Sequence, residues 1–116
     1  SKIALFYAAI INYNSGKYDN AISLFNDFIK SDVKDQMLKD AAYLNIGTAS
    51  FDKGNWKEAI DYLSKLDKKN NPYRNQAKLY IALSLEKLGK NSEAETIYKE
   101  LYNNQNLSND LKFDVQ

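Results

Sequence analysis

Carboxylates at short spacing are the residues of this chain with the best claim to chemistry. Glu58 and Asp61 stand three apart, and Glu93 and Glu95 two apart. Paired carboxylates can serve as general acid and general base, but they need a pocket that drives their pKa values apart. Glu58 and Asp61 fall on a segment whose other positions carry core-type residues, so their side chains belong on a solvated outer face. Glu93 and Glu95 sit at a helix start, where negative charge complements the macrodipole. The chain contains no histidine and no cysteine. That removes thiolate and imidazole metal sites, Cys–His nucleophiles, the Ser–His–Asp triad and disulfides. No glycine-rich phosphate loop or nucleotide fingerprint is present. The sequence predicts no enzyme, no catalytic residue, no cofactor and no metal.

Charge points the same way. Net charge is +1 across 116 residues, with the signs interleaved along the chain. Lys65, Lys68, Lys69 and Arg74 form the one basic cluster, and Asp67 interrupts it, so it reads as solvated helix ends rather than a phosphate site. Nucleic acid is not the expected partner. No apolar run approaches the roughly 18–20 residues of a membrane span, so no membrane insertion is expected. The chain opens on Ser1, which is not a natural start, and is expected to be part of a longer protein.

The elements that would position any site are helical. One proline and four glycines leave little room for the turns of an all-β fold, and three segments align on a shared pattern. They read GKYDNAISLF from Gly16, GNWKEAIDYL from Gly54 and GKNSEAETIY from Gly89. The glycines stand 38 and 35 residues apart. Seven residues before each glycine is a small residue (Ala9, Gly47, Ala82), and five after it is an alanine (Ala21, Ala59, Ala94). Large apolar residues follow each alanine at plus four (Phe25, Leu63, Tyr98) and plus seven (Phe28, Leu66, Leu101).

Small residues let two helices approach, and glycine lets the chain reverse in a short turn. The large residues fill the space between hairpins, and a hairpin with uncovered apolar surface must stack on a neighbour. The pattern predicts helices near 2–14, 18–30, 33–53, 56–68, 72–88 and 91–104. The 38-residue spacing predicts an extra turn at the start of the third helix, around Val33 to Lys39. Asn71 ahead of Pro72 reads as a helix start, and residues 105–116 read as either a tail or a partial seventh, capping helix with Ser108 as its N-cap.

The three aligned segments resemble the tetratricopeptide repeat, a 34-residue helix–turn–helix, across roughly residues 3–102. Asn12, Ser50 and Leu85 stand at the family's usual tyrosine position, and its usual proline after the second helix is absent in the first repeat and displaced to Pro72 in the second. The resemblance implies an all-α, right-handed solenoid of three antiparallel hairpins forming one domain over 1–116, with repeats at about 3–31, 40–69 and 75–104. It also implies a concave groove lined by the first helix of each hairpin. The register carries Ile3, Phe6, Tyr7, Ile10, Tyr13 and Asn14 into it, then Ala41, Leu44, Asn45, Thr48, Phe51 and Asp52, then Gln76, Leu79, Tyr80, Leu83, Glu86 and Lys87. This is not the family's clamp for acidic chain ends: Phe6, Ile10, Gln76 and Tyr80 stand where that clamp wants Lys, Asn, Lys and Arg, and Asn45 alone agrees.

The first helix is apolar nearly all round, with Leu5, Ala8, Ala9 and Ile11 beside the groove stripe. Such a helix is normally covered on more than one side. An upstream helix, a second copy of the chain or a partner peptide would each cover it; the competing reading is that its aromatics are core. The expected function is a protein-interaction module that takes a partner helix or peptide on Phe6, Tyr7, Ile10, Tyr13, Leu44, Asn45, Phe51, Leu79, Tyr80 and Leu83. The alternative is an oligomerisation (homodimer) or structural segment whose groove is filled by its own chain. The irregular spacing and lysine-rich composition resemble bacterial envelope tetratricopeptide proteins, some serving outer-membrane assembly or the Tol–Pal system. The compartment stays open, with a lean toward bacterial periplasm or envelope.

Overall fold

The computed structural model describes the backbone of residues 1–115 and the side chains of residues 1–105. It contains six helices, α1 (Lys2–Asn14), α2 (Tyr18–Lys30), α3 (Gln36–Asp52), α4 (Trp56–Ser64), α5 (Arg74–Lys87) and α6 (Asn91–Val115), and no strand among the described residues. Consecutive helices pack together throughout, as three hairpins and two junctions between them. In addition α1 touches α3 and α3 touches α5, whereas α2, α4 and α6 make no such contacts with one another among the described residues. The first helices therefore form an inner row and the second helices an outer one. The protein is an all-α helical repeat.

Each hairpin closes through the same turn. Gly16, Gly54 and Gly89 have φ of 75°, 85° and 81°, which glycine adopts without the penalty a Cβ brings. Their N–H groups donate to Tyr13, Phe51 and Glu86, and the next residues' N–H groups to Asn12, Ser50 and Leu85. These are paired reverse bonds of a glycine-terminated helix. Asn12, Ser50 and Leu85 contribute their carbonyls, so the turn survives the loss of the family's tyrosine there.

Small residues close the hairpins. Ala9, Ala82, Ala21 and Ala59 are fully buried, and Ala94 nearly so. A Cβ added at Gly47 would lie 2.5 Å from Leu63 Cγ. The large residues fill the junctions. One buried cluster joins Phe6, Phe25 and Phe28 to Ala42 and Ile46 of α3; the other joins Leu44, Leu63 and Leu66 to Ala77 and Ile81 of α5.

Boundaries differ from expectation in four places. First, α3 begins at Gln36, because Asp35 caps it by accepting from the Met37 and Leu38 N–H groups. It holds 17 residues against 14 in α5, with the extra turn at its start. Second, α4 ends at Ser64 rather than 68; the Ser64 hydroxyl bonds back to the Ile60 carbonyl. Third, α5 begins at Arg74, since Asn71 Oδ1 accepts from Tyr73 N at 2.9 Å and holds Pro72 in a side-chain-closed turn ahead of the helix. Fourth, the backbone around Ser108 continues α6 to Val115, and the side chains of that segment lie outside the described residues.

Candidate partner-binding groove

The inner row is assembled by contacts between first helices. The Tyr13 hydroxyl of α1 reaches α3, 2.9 Å from Thr48 Oγ1 and 3.3 Å from Asp52 Oδ2. Thr48 in turn donates to the Asn45 carbonyl at 3.2 Å. Burial raises the Tyr13 pKa above its ordinary value; the Thr48 hydrogen bond opposes this, and the Asp52 charge adds to it. Tyr13 thus stays a neutral donor at any ordinary pH. Between α3 and α5 the link is aromatic. Phe51 meets Tyr80 edge-on at 5.3 Å and Trp56 at 5.2 Å, a geometry that adds about 0.5–1.5 kcal/mol beyond area burial.

The site residues expected from the sequence separate into two groups. Tyr7 is 60% exposed and Leu79 41%; Ile10, Tyr13, Asn45, Phe51, Tyr80 and Leu83 are half-buried. These eight retain surface for a partner. Asn45 spends its Nδ2 on the Ala41 carbonyl of its own helix. The other two are buried. Phe6 is 8% exposed and Leu44 9%, because each reaches past the inner face into a buried cluster. The Phe6 ring lies 5.7 Å from that of Phe25 and 5.1 Å from that of Phe28. They position the groove from beneath and offer little area to a ligand.

One residue of α1 was passed over by the groove register. Ile11 is 64% exposed, on a face away from Tyr13. On the outer row, a cleft of about 630 Å³ opens between α2 and α4 over Tyr43, lined by Ile29, Lys30, Asp61 and Tyr62 among others. Glu58 also lines it and, like Asp61, is solvent-exposed. Glu95 pairs with Lys99 at 3.2 Å on the surface of α6.

Within the basic cluster Arg74 is held by an ion pair and Lys65 by a ring contact. Arg74 Nε lies 2.9 Å and Lys78 Nζ 3.5 Å from Asp67 Oδ1, and Lys78 also meets Glu100 at 3.0 Å. Lys65 Nζ sits 5.4 Å above the Tyr43 ring. Among the described residues no group of three acidic side chains could hold a metal ion, and no helix is long and apolar enough to cross a membrane.

The family model described as "T7SS, ESX-1 secretion system protein EccA1, N-terminal domain" matches residues 1–114. The chain belongs to this family. A search of curated proteins gave no match. The EccA1 N-terminal-domain match spans all three hairpins and therefore the whole inner row, and a tetratricopeptide-like helical repeat is compatible with it.

Proposed function

We propose that this chain is a protein-interaction module of a type VII secretion apparatus, one that binds a helix or extended segment of a partner protein along its inner face. The observation that carries this reading is the row of aromatic and aliphatic side chains left accessible there. Tyr7, Ile10, Leu79 and Leu83 keep apolar surface, in a fold whose other large apolar residues mostly go into two well-packed clusters. The family match supports the secretion setting and narrows the bacterial context expected from the sequence. Beside the apolar row the exposed Asp52 carboxylate, which accepts from the Tyr13 hydroxyl, offers an acceptor that would orient a bound segment by hydrogen bonding. Apolar anchors at helical spacing on the partner would meet the row. In this reading the chain does no chemistry of its own.

The test is capture of partners from a lysate of the source organism, followed by titration with the captured protein. The wild-type chain is compared with Tyr7→Glu and Leu83→Glu. Phe6→Glu is unsuitable, because Phe6 is core and a charge there unfolds the hairpin. The expected result is a loss of roughly tenfold or more in affinity, the size of one or two interface anchors, with unchanged helicity. Equal retention by all three baits would sink the groove reading. Concentration-dependent self-association lost in both variants would favour the alternative, a groove filled by another copy of the chain.

A further inference from the structure

The outer helices do not touch one another among the described residues, which leaves a gap above α3 and another above α5. The repeat allows the two gaps to be compared position by position. Counting from the turn glycines, Tyr43 matches Lys78, Ile29 matches Asp67, and Lys65 matches Glu100. Above α5 these residues plug the gap from within. Lys78 is buried, and its ammonium meets Glu100 at 3.0 Å and Asp67 at 3.5 Å, so a cation ties α6 to the segment after α4. Above α3 all three residues change, no such plug forms, and the cleft of about 630 Å³ stays open. That volume falls in the range of about 300–1,000 Å³ usual for ligand sites.

The open cleft is furnished for a positive charge. Glu58, Asp61, Tyr62 and Lys65 all line it, and their spacing puts them on one face of α4 and its C-cap. The Tyr43 and Tyr62 rings lie 6.4 Å apart, tilted by 33°. Lys65 Nζ sits 5.4 Å above the Tyr43 ring, within cation–π reach. Glu58 accepts only a long bond of 3.4 Å from Asn55, and neither it nor Asp61 forms an ion pair among the described residues.

We infer that this cleft takes the arginine side chain of a partner protein segment, which displaces Lys65 from the Tyr43 ring. A guanidinium is planar, stacks on tyrosine faces and presents paired N–H donors to carboxylates, here Asp61 and Glu58. It brings from outside the cation that Lys78 provides from within at the other gap. Lys30, at the C-terminal end of α2, also lines the cleft. With Lys65 it opposes further positive charge, so a single arginine fits better than a polybasic run. An anion on the two lysines is the competing occupant, and the negative faces of the two tyrosine rings disfavour it. The cleft lies on the outer row, so this inference is independent of whether the inner face binds a partner.

The test titrates the 116-residue chain with N-acetyl-arginine amide at fixed ionic strength and follows the NMR signals of the Tyr43 and Tyr62 rings. N-acetyl-glutamate amide serves as the anionic counter-probe. The arginine probe should give saturable shifts with a Kd on the order of millimolar, the scale of one side chain in one pocket. Lys65→Met removes the internal competitor and should tighten binding about two- to fivefold, the size of an exposed cation–π contact. Asp61→Asn should weaken it by a similar factor of about two to five. Both positions are exposed, so helicity and Tm should stay unchanged and separate a binding effect from a folding one. No saturable response, a Lys65→Met chain that binds no more tightly, or an equal or stronger response to the glutamate probe would each overturn the inference.

Discussion

The two junctions of this repeat share a backbone plan and use different side chains to hold it. The first, between α2 and α3, is aromatic: Phe6, Phe25 and Phe28 interlock at ring distances of 5.1 and 5.7 Å over Ala42 and Ile46. The second, between α4 and α5, is aliphatic, with Leu63 and Leu66 over Ala77 and Ile81. Around it lie a close helix approach at Gly47 and an ion-pair network of Asp67, Arg74, Lys78 and Glu100. The repeat thus specifies where bulk is needed, and each junction meets that need with its own mixture of size, proximity and charge.

The largest expected effect comes from emptying the aromatic junction. Phe25 is fully buried, so Phe25→Ala removes a whole ring and leaves a cavity that its neighbours, also aromatic, cannot readily fill. A loss of about 3–5 kcal/mol is expected, a large share of the stability of a domain this size. Denaturant unfolding would read it directly. A loss below about 1 kcal/mol would mean that this junction is loosely packed and that the contrast drawn above is wrong.

The second junction is sensitive to addition instead. Gly47→Ala places a carbon 2.5 Å from Leu63 Cγ, and Leu63 is itself fully buried. Overpacking of this kind costs about 1–3 kcal/mol, which exceeds the roughly 1 kcal/mol gained by replacing a helical glycine. The sign of the effect should depend on its neighbour. In a Leu63→Ala background the overlap is gone, and the same Gly47→Ala change should stabilise by up to about 1 kcal/mol. A cycle in which Gly47→Ala has the same sign in both backgrounds would remove close approach as the device holding this hairpin.

A gain is expected one turn further along α3. The Ser50 hydroxyl is buried with no hydrogen-bond partner among the described residues. Ser50→Ala deletes an unsatisfied polar group and substitutes a better helix former. Stability should rise by about 1 kcal/mol, seen as a higher Tm; a fall would show that the hydroxyl is satisfied in solution.

These sites also show what was legible in the sequence. The turn glycines, the small residues and the buried large residues could be read because each answers a requirement of the backbone that few residue types meet. Gly47 was identified as a small position on that ground. Phe6 and Leu44 were assigned to the groove because register alone places them at its edge; the structure takes both into buried clusters, since a long side chain at a border position follows the better packing partner. The start of α5 was misplaced because Asn71 before Pro72 suits a helix cap and a side-chain-closed turn equally well. Lys78 could not have been singled out, as its partners Asp67 and Glu100 are 11 and 22 residues away.

The smallest expected effect belongs to the charges bracing the second junction. Partial burial disfavours the Asp67 carboxylate, but the hydrogen bond from Arg74 and the charges of Lys78 and Arg74 outweigh it, so its pKa lies below the ordinary value. A carboxyl whose pKa falls on folding stabilises the protein above its unfolded pKa, and that contribution is lost as pH drops through the folded one. The window therefore opens at about pH 4 and extends downward. Asp67 is more than a third exposed, and solvent screening limits the contribution to no more than about 1 kcal/mol. Asp67→Asn should lower stability by that small amount at neutral pH and flatten its decline between about pH 4 and pH 2, measured as urea midpoints across the range. The aromatic junction contains no titrating group among its buried members, so the Phe25→Ala penalty should stay constant over the same interval. If the two variants share one pH profile, the network contributes nothing specific, and packing alone holds both junctions.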